Sequence, residues 1–181
     1  MPTTFLEGLL AGLHHPVVGL DHLAFVVVLG VAAALTRAGL LMILAFVATA
    51  AIATYGRAVN LDYPYVEQLV ALTVFTAGVL IALGLGAKKL IWLPFAAIAG
   101  LLHGYAFGEE VLGADNLPIA AYIVGITVVC AAIALVARLI ASRVPGLSDP
   151  HWWPLRLAGA LVAVIGVYLL AQLVIGEFTQ Q

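Results

Sequence analysis

The chain has 181 residues, of which 65% are hydrophobic and only 9% charged. Soluble domains carry about 25% charged residues, so this composition excludes a water-solvated globule and indicates a membrane protein. The net charge of -2, with its cations scattered along the chain, excludes a nucleic-acid-binding surface. The single cysteine, Cys130, excludes both an internal disulfide and a metal cage built from cysteine alone.

Apolar segments separated by charged residues, glycine and proline predict an all-α bundle of about six transmembrane helices. A spanning helix needs about 20 apolar residues, so six of them leave no room for a separate soluble domain. We therefore expect one transmembrane domain over residues 1–181. The predicted spans are 17–35, preceded by a short amphipathic segment at 3–13, and then 39–55, 66–86, 90–108, 118–140 and 154–175.

The positions of the cations predict the orientation, because Lys and Arg concentrate in cytoplasmic loops. Arg57 lies at the opposite set of helix ends from all the others. We therefore expect both termini outside. The first segment has no basic start and no small-residue cleavage site, so we expect no removable signal peptide. The cations expected inside are Arg37, Lys88, Lys89, Arg138, Arg143 and Arg156.

A first cluster of polar residues, HPVVGLDH, extends from His15 to His22 and includes Asp21. Each ionisable group at membrane depth costs about 2.5–3.5 kcal/mol on insertion, so it indicates a functional role. On a regular helix the two histidines are about 10.5 Å apart along the axis. Ligands must approach an ion to about 2.0–2.1 Å. Either the helix is broken near Pro16 and Gly19, which brings the histidines together, or they form successive sites along a path.

A second cluster, HGYAFGEE, extends from His103 to Glu110 and repeats the seven-residue spacing. The orientation count places it at the outer end, together with the first cluster. Glu109 is expected to face solvent, where with Asp115 it gives this end an anionic mouth that attracts cations.

Three glycines, spaced four residues apart, lie just before and within the second cluster. Such ladders let helices approach closely. We expect this ladder to pack against a neighbour such as the first span, with His103 turned toward His22. The ladder consists of Gly100, Gly104 and Gly108.

Imidazole and carboxylate together favour borderline divalent ions such as Ni²⁺, Co²⁺, Zn²⁺ or Cu²⁺, whereas Mg²⁺ and Ca²⁺ prefer oxygen alone. Asp21 could bind such an ion directly, or it could orient the neighbouring His22. His14 is expected to have only an auxiliary role. No prosthetic group is expected.

The strings HPxxGxDH, at residues 15–22, and HGxAxGxE, at residues 103–110, resemble the two signatures of the HupE/UreJ family of nickel/cobalt permeases. The resemblance covers essentially the whole chain. It implies secondary uptake of Ni²⁺ or Co²⁺ across the bacterial cytoplasmic membrane, with a functional link to metalloenzyme or cobalamin maturation. Many relatives have a further histidine where this chain has Phe107. The metal ligands that the resemblance implies are His15, Asp21, His22, His103 and Glu110.

Other functions fit the same residues. A zinc-dependent intramembrane hydrolase would use His15, His22 and His103 as ligands and leave one position open for water. Glu110 would then act as the general base. A non-transporting metal-binding accessory protein or a bis-histidine haem carrier is a third alternative. A permease is favoured over an enzyme, with the metal ion and the lipid bilayer as its partners, and a homo-oligomer is compatible with this prediction.

Overall fold

A computed structural model of the chain describes residues 1–59, 64–147, 149 and 151–179. The regular secondary structure in these ranges is helical throughout. After α5 the chain continues into a 3-10 turn at Glu109–Val111. The helices are α1 (Phe5–Val18), α2 (Leu20–Ala34), α3 (Gly39–Ala58), α4 (Val66–Ala82), α5 (Lys89–Gly108), α6 (Asn116–Ala141) and α7 (Trp153–Thr179).

The described helices account for the predicted membrane spans. Four are long and apolar enough to cross a membrane alone, namely α3, α5 with its 3-10 turn, α6 and α7. α1 and α2 meet this condition only together, as one broken span. α4 has 17 residues, which is about the shortest length that crosses the hydrocarbon core. The prediction of an all-α, multi-pass membrane bundle is confirmed.

The first span begins earlier than predicted. The prediction ended a separate segment at residue 13 and started the span at residue 17, but α1 continues through Pro16 to Val18. A capping box starts α1, in which the Thr4 hydroxyl accepts a hydrogen bond from the main-chain N–H of Glu7. Pro16 lies in the last turn of α1, where it cannot donate an N–H to the carbonyl four residues earlier and its ring crowds that carbonyl, which favours the end of the helix soon afterwards.

Gly19 separates α1 from α2, and the two helix axes differ in direction by 78°. Its backbone is extended, with φ -72° and ψ 101°. A Cβ atom at this position would lie 2.7 Å from Cδ2 of His22 and 3.2 Å from Oδ1 of Asp21. A larger residue would therefore displace both side chains. The predicted break near Pro16 and Gly19 is confirmed, and it occurs at Gly19.

The glycine ladder of α5 packs against α3, so the prediction that it packs against the first span is wrong. A Cβ atom added to any of its three glycines would collide with atoms of α3. The first span packs against α6 instead, where Gly8 and Gly12 lie against the α6 main chain. A ladder of small residues indicates a close approach, but it does not identify the helix that approaches.

The start of α1 and the end of α7 lie at the end of the bundle where α5 ends. The start of α1 lies beside the start of α6, and the start of α4 packs against the end of α5. α7 runs antiparallel along α4, since Gly159 faces Ala82 and Gly166 faces Phe75. The assignment of this end to the outside stays a prediction from the cation count.

Candidate metal site

The break at Gly19 brings the two histidines of the first cluster together. His15 lies in the last turn of α1 and His22 in the first turn of α2. Their ring centroids are 5.6 Å apart, whereas seven residues of unbroken helix would separate them by about 10.5 Å along the axis. Of the two arrangements that the spacing allowed, the structure contains the broken helix with adjacent rings.

His103 of α5 faces His22 across the bundle, as the sequence predicts. Their Nδ1 atoms are 2.9 Å apart, a hydrogen-bonding distance. His22 is 4% exposed and His103 is fully buried. On its other sides the His103 ring packs against Phe25 and Phe46, with centroids 4.6 Å and 5.6 Å away. The two polar strings therefore meet inside the bundle, although 81 residues separate these histidines.

Each of the two carboxylates implied as ligands lies beside one imidazole. Oδ1 of Asp21 accepts a hydrogen bond of 2.8 Å from the main-chain N–H of His22 and lies 4.0 Å from the Nε2 atom of the same residue. Oε2 of Glu110 lies 4.0 Å from Nδ1 of His15. Glu110 belongs to the 3-10 turn after α5, and its side chain is half exposed.

Glu109 faces solvent, as predicted, with 52% of its side chain exposed, but it is also paired with a cation. Its Oε1 atom accepts hydrogen bonds from Nε and Nη2 of Arg57, at 2.9 Å and 2.8 Å. The guanidinium also lies over the ring of Tyr105, 5.4 Å from its centroid. The pair joins the end of α3 to the end of α5. Adjacent acids thus have different partners, a cation for Glu109 and a histidine for Glu110.

A cleft of about 470 Å³ opens beside the outermost histidine. His15 is the most exposed of the three histidines described above, at 24% of its side chain. Solvent can therefore approach the cluster at the His15–Glu110 pair. His14 also lines this cleft, in keeping with an auxiliary role. The lining residues are Ala11, His14, His15, Val18, Gly19 and Glu110.

Phe107 lies where the three imidazoles meet. Its ring centroid is 5.4 Å from that of His15, 4.5 Å from that of His22 and 6.4 Å from that of His103. The side chain is fully buried. The position at which the resemblance implies histidine in many relatives is thus at the centre of the cluster.

Two hydroxyl groups complete the surroundings of the imidazoles. The Tyr122 hydroxyl oxygen is 2.9 Å from Nδ1 of His15, and Oγ1 of Thr73 is 2.9 Å from Nε2 of His103. The sequence carries a signal for Tyr122, because a phenol in the middle of an apolar helix needs a hydrogen-bond partner. It carries none for Thr73, since a helical threonine usually bonds to its own backbone.

The polar side chains form a row rather than a cage. From the cleft inward, the row consists of the pair His15–Glu110, then His22 with Asp21, and then His103. Among the residues that the structure describes, no three His, Cys, Asp or Glu side chains converge closely enough to surround one ion. The geometry offers successive positions at which an imidazole and a carboxylate can contact a cation together.

The chain resembles known proteins over nearly its whole length. The family model described as HupE / UreJ protein matches residues 2–169. Over 166 residues the chain is 30% identical to Protein HupE of Rhizobium leguminosarum bv. viciae. This aligned region covers 91% of this chain and 85% of that protein. No solved structure matches the chain with significance. Because the family model matches nearly the whole chain, including both histidine clusters, the chain belongs to the HupE/UreJ family.

Proposed function

We propose that the protein is a secondary permease that takes up a divalent transition-metal ion, Ni²⁺ or Co²⁺, across the cytoplasmic membrane of a bacterium. The observation that carries this proposal is the row of imidazoles, which starts at an open cleft and ends at a fully buried histidine inside a membrane bundle. Family membership supports it, since relatedness to nickel/cobalt permeases is what the two signatures imply.

The donor set supports a transition metal over Mg²⁺ or Ca²⁺. Three neutral imidazoles and two carboxylates suit Ni²⁺, Co²⁺, Zn²⁺ and Cu²⁺, whereas the harder cations need oxygen ligands. The proposed ligands at the cleft are His15 and Glu110. Those in the first turn of α2 are Asp21 and His22. His103 is proposed as the innermost member of the same set.

The spacing of the pairs suits an ion that passes from one position to the next. A nitrogen and an oxygen on opposite sides of one ion are about 4 Å apart, because each metal bond is about 2.0–2.2 Å long. Nδ1 of His15 lies 4.0 Å from Oε2 of Glu110, and Nε2 of His22 lies 4.0 Å from Oδ1 of Asp21. At the first pair, the ion would replace the Tyr122 hydroxyl as the partner of Nδ1. A zinc hydrolase would need three ligands around one ion and an open fourth position, so a row of pairs favours passage over catalysis.

Metal uptake by the purified protein in lipid vesicles tests the proposal. Vesicles with the protein should accumulate radioactive nickel or cobalt above the level of empty vesicles, and excess Mg²⁺ should not compete. The assay is run under three conditions: with an inward proton gradient, with an outward proton gradient and without a gradient. Uptake is then detected whichever way protons are coupled to it. Equal accumulation by protein-containing and empty vesicles for Ni²⁺, Co²⁺, Zn²⁺ and Cu²⁺ under all three conditions would refute the proposal.

The two adjacent glutamates should differ in their effect on uptake. Replacing Glu110 with glutamine removes the negative charge beside His15, so we expect the metal concentration for half-maximal uptake to rise about 10-fold or more. Glu109→Gln, the matched control, weakens only the contact with Arg57 and should leave that concentration near its wild-type value. Equal effects of the two substitutions would show that the charge acts at long range and not through His15.

A further inference from the structure

The Thr73 hydroxyl has two hydrogen-bond partners but only one proton. Its Oγ1 atom is 2.7 Å from the carbonyl oxygen of Val70 and 2.9 Å from Nε2 of His103. A carbonyl oxygen can only accept, so the hydroxyl proton points to Val70. Oγ1 must then accept the second bond. The proton in that bond is therefore carried by Nε2 of His103.

This assignment continues to the next ring. A neutral imidazole has one N–H and one bare nitrogen, and complete burial beside Phe25 and Phe46 favours the neutral form of His103. Its Nδ1 atom is therefore bare and can only accept. Since the Nδ1 atoms of His103 and His22 are 2.9 Å apart, the proton between them belongs to His22.

The bare nitrogen of His22 is consequently Nε2. This atom lies 4.0 Å from Oδ1 of Asp21, which is too long for a hydrogen bond. The distance is close to the separation of about 4 Å that two ligands have on opposite sides of one ion, with bonds of about 2.0–2.2 Å. Nε2 of His22 therefore makes no hydrogen bond to Asp21, and its lone pair can bind an ion that approaches between the two groups.

We infer that Thr73 is a positioning residue, which fixes His103 as the Nε2–H tautomer and, through it, His22 as the Nδ1–H tautomer, so that Nε2 of His22 is the atom that receives the ion. The inference rests on the proposed function for its last step only. It also gives His103 a definite role. Both of its nitrogens are occupied in this arrangement, so before an ion arrives His103 holds His22 in place, as partners of metal-binding histidines commonly do. It can act as the innermost ligand only after one of these two hydrogen bonds breaks.

Nitrogen-15 NMR of the histidine-labelled protein in lipid bilayers, without metal, tests the tautomers directly. In the wild-type protein, His103 should be protonated at Nε2 and His22 at Nδ1, with a scalar coupling across the bond between their Nδ1 atoms. Thr73→Val keeps the shape of the side chain and removes the hydroxyl, so both rings should become mixtures of tautomers. Thr73→Ser, the matched control, keeps the hydroxyl and should give the wild-type spectrum.

Uptake by the same variants provides the second measurement. Thr73→Val should raise the nickel or cobalt concentration for half-maximal uptake about 10–100-fold, as loss of a supporting partner does, and Thr73→Ser should restore it. A wild-type His103 protonated at Nδ1, or unchanged tautomers in Thr73→Val, would overturn the inference. If Thr73→Val does not fold, the wild-type spectrum alone decides. The predicted tautomers without uptake of any ion would refute the proposed function and leave the role of Thr73 in place.

Discussion

Replacing His22 with alanine is expected to abolish metal uptake. His22 is the middle ring of the row, since its centroid is 5.6 Å from that of His15 and 5.0 Å from that of His103. Its removal takes away the imidazole nitrogen that lies 4.0 Å from Asp21 and interrupts the row of imidazoles between His15 and His103. We expect the rate of nickel or cobalt uptake into vesicles to fall at least about 100-fold, the upper end of the range for perturbed metal sites.

Two controls separate this effect from a general loss of structure. His151→Ala changes an exposed histidine at the opposite end of the bundle, and its uptake should equal that of the wild type. The helical content and elution volume of His22→Ala in detergent should match the wild type, because the chain still has its apolar helices. Wild-type uptake by folded His22→Ala would contradict both the proposed row and the function assigned to it.

Replacing Gly104 with valine is expected to destabilise the bundle more than any other substitution in the glycine ladder. A Cβ atom at Gly104 would collide with the carbonyl oxygen of Ala50 on α3. The Thr54 hydroxyl also bridges the two helices, 2.8 Å from the carbonyl of Ala50 and 2.9 Å from that of Gly104. Separation of the helices would break this contact, so we expect a loss of about 3 kcal/mol or more in the free energy of unfolding.

Gly176→Val is the matched control for this substitution. Gly176 also lies in a long apolar helix, but no atom of the described residues lies within 4 Å of a Cβ atom added there. Thermal unfolding of the purified variants in detergent should show a much lower midpoint for Gly104→Val and a nearly unchanged one for Gly176→Val. Equal midpoints would show that α3 can move away from α5 at little cost.

The sequence predicts most of the helices, because hydropathy and helix-ending residues are local properties. It also predicts that His22 and His103 meet, since two costly polar clusters at the same membrane depth are best satisfied by each other. The break at Gly19 follows from Pro16 and Gly19 in one short string. The helices and the break at Gly19 depend on the local sequence. The contact between His22 and His103 depends on the free-energy cost of polar groups in lipid.

Other features depend on which helix packs where, and the sequence does not specify this. The ladder of α5 meets α3 because of the arrangement of the whole bundle, and a stripe of glycines would fit several neighbours equally well. The difference between Glu109 and Glu110 has the same origin, since it is set by the positions of Arg57 and His15. The sequence could not identify Thr73, because its proposed role depends on a hydrogen bond that its hydroxyl donates to the carbonyl of Val70. Helical threonines commonly make this bond whether or not they are near a site.

The phenylalanine packing beyond His103 has a consequence for the rate at which ions can cross. Phe25 and Phe46 are both fully buried, and their rings pack against the last imidazole, so among the described residues they close that side of His103 in this conformation. An ion that reaches His22 can go further only when helices move and open that side. Such rearrangements take microseconds to milliseconds or longer. In the proposed permease we therefore expect a conformational cycle to limit turnover, and uptake to saturate far below the flux through an open channel.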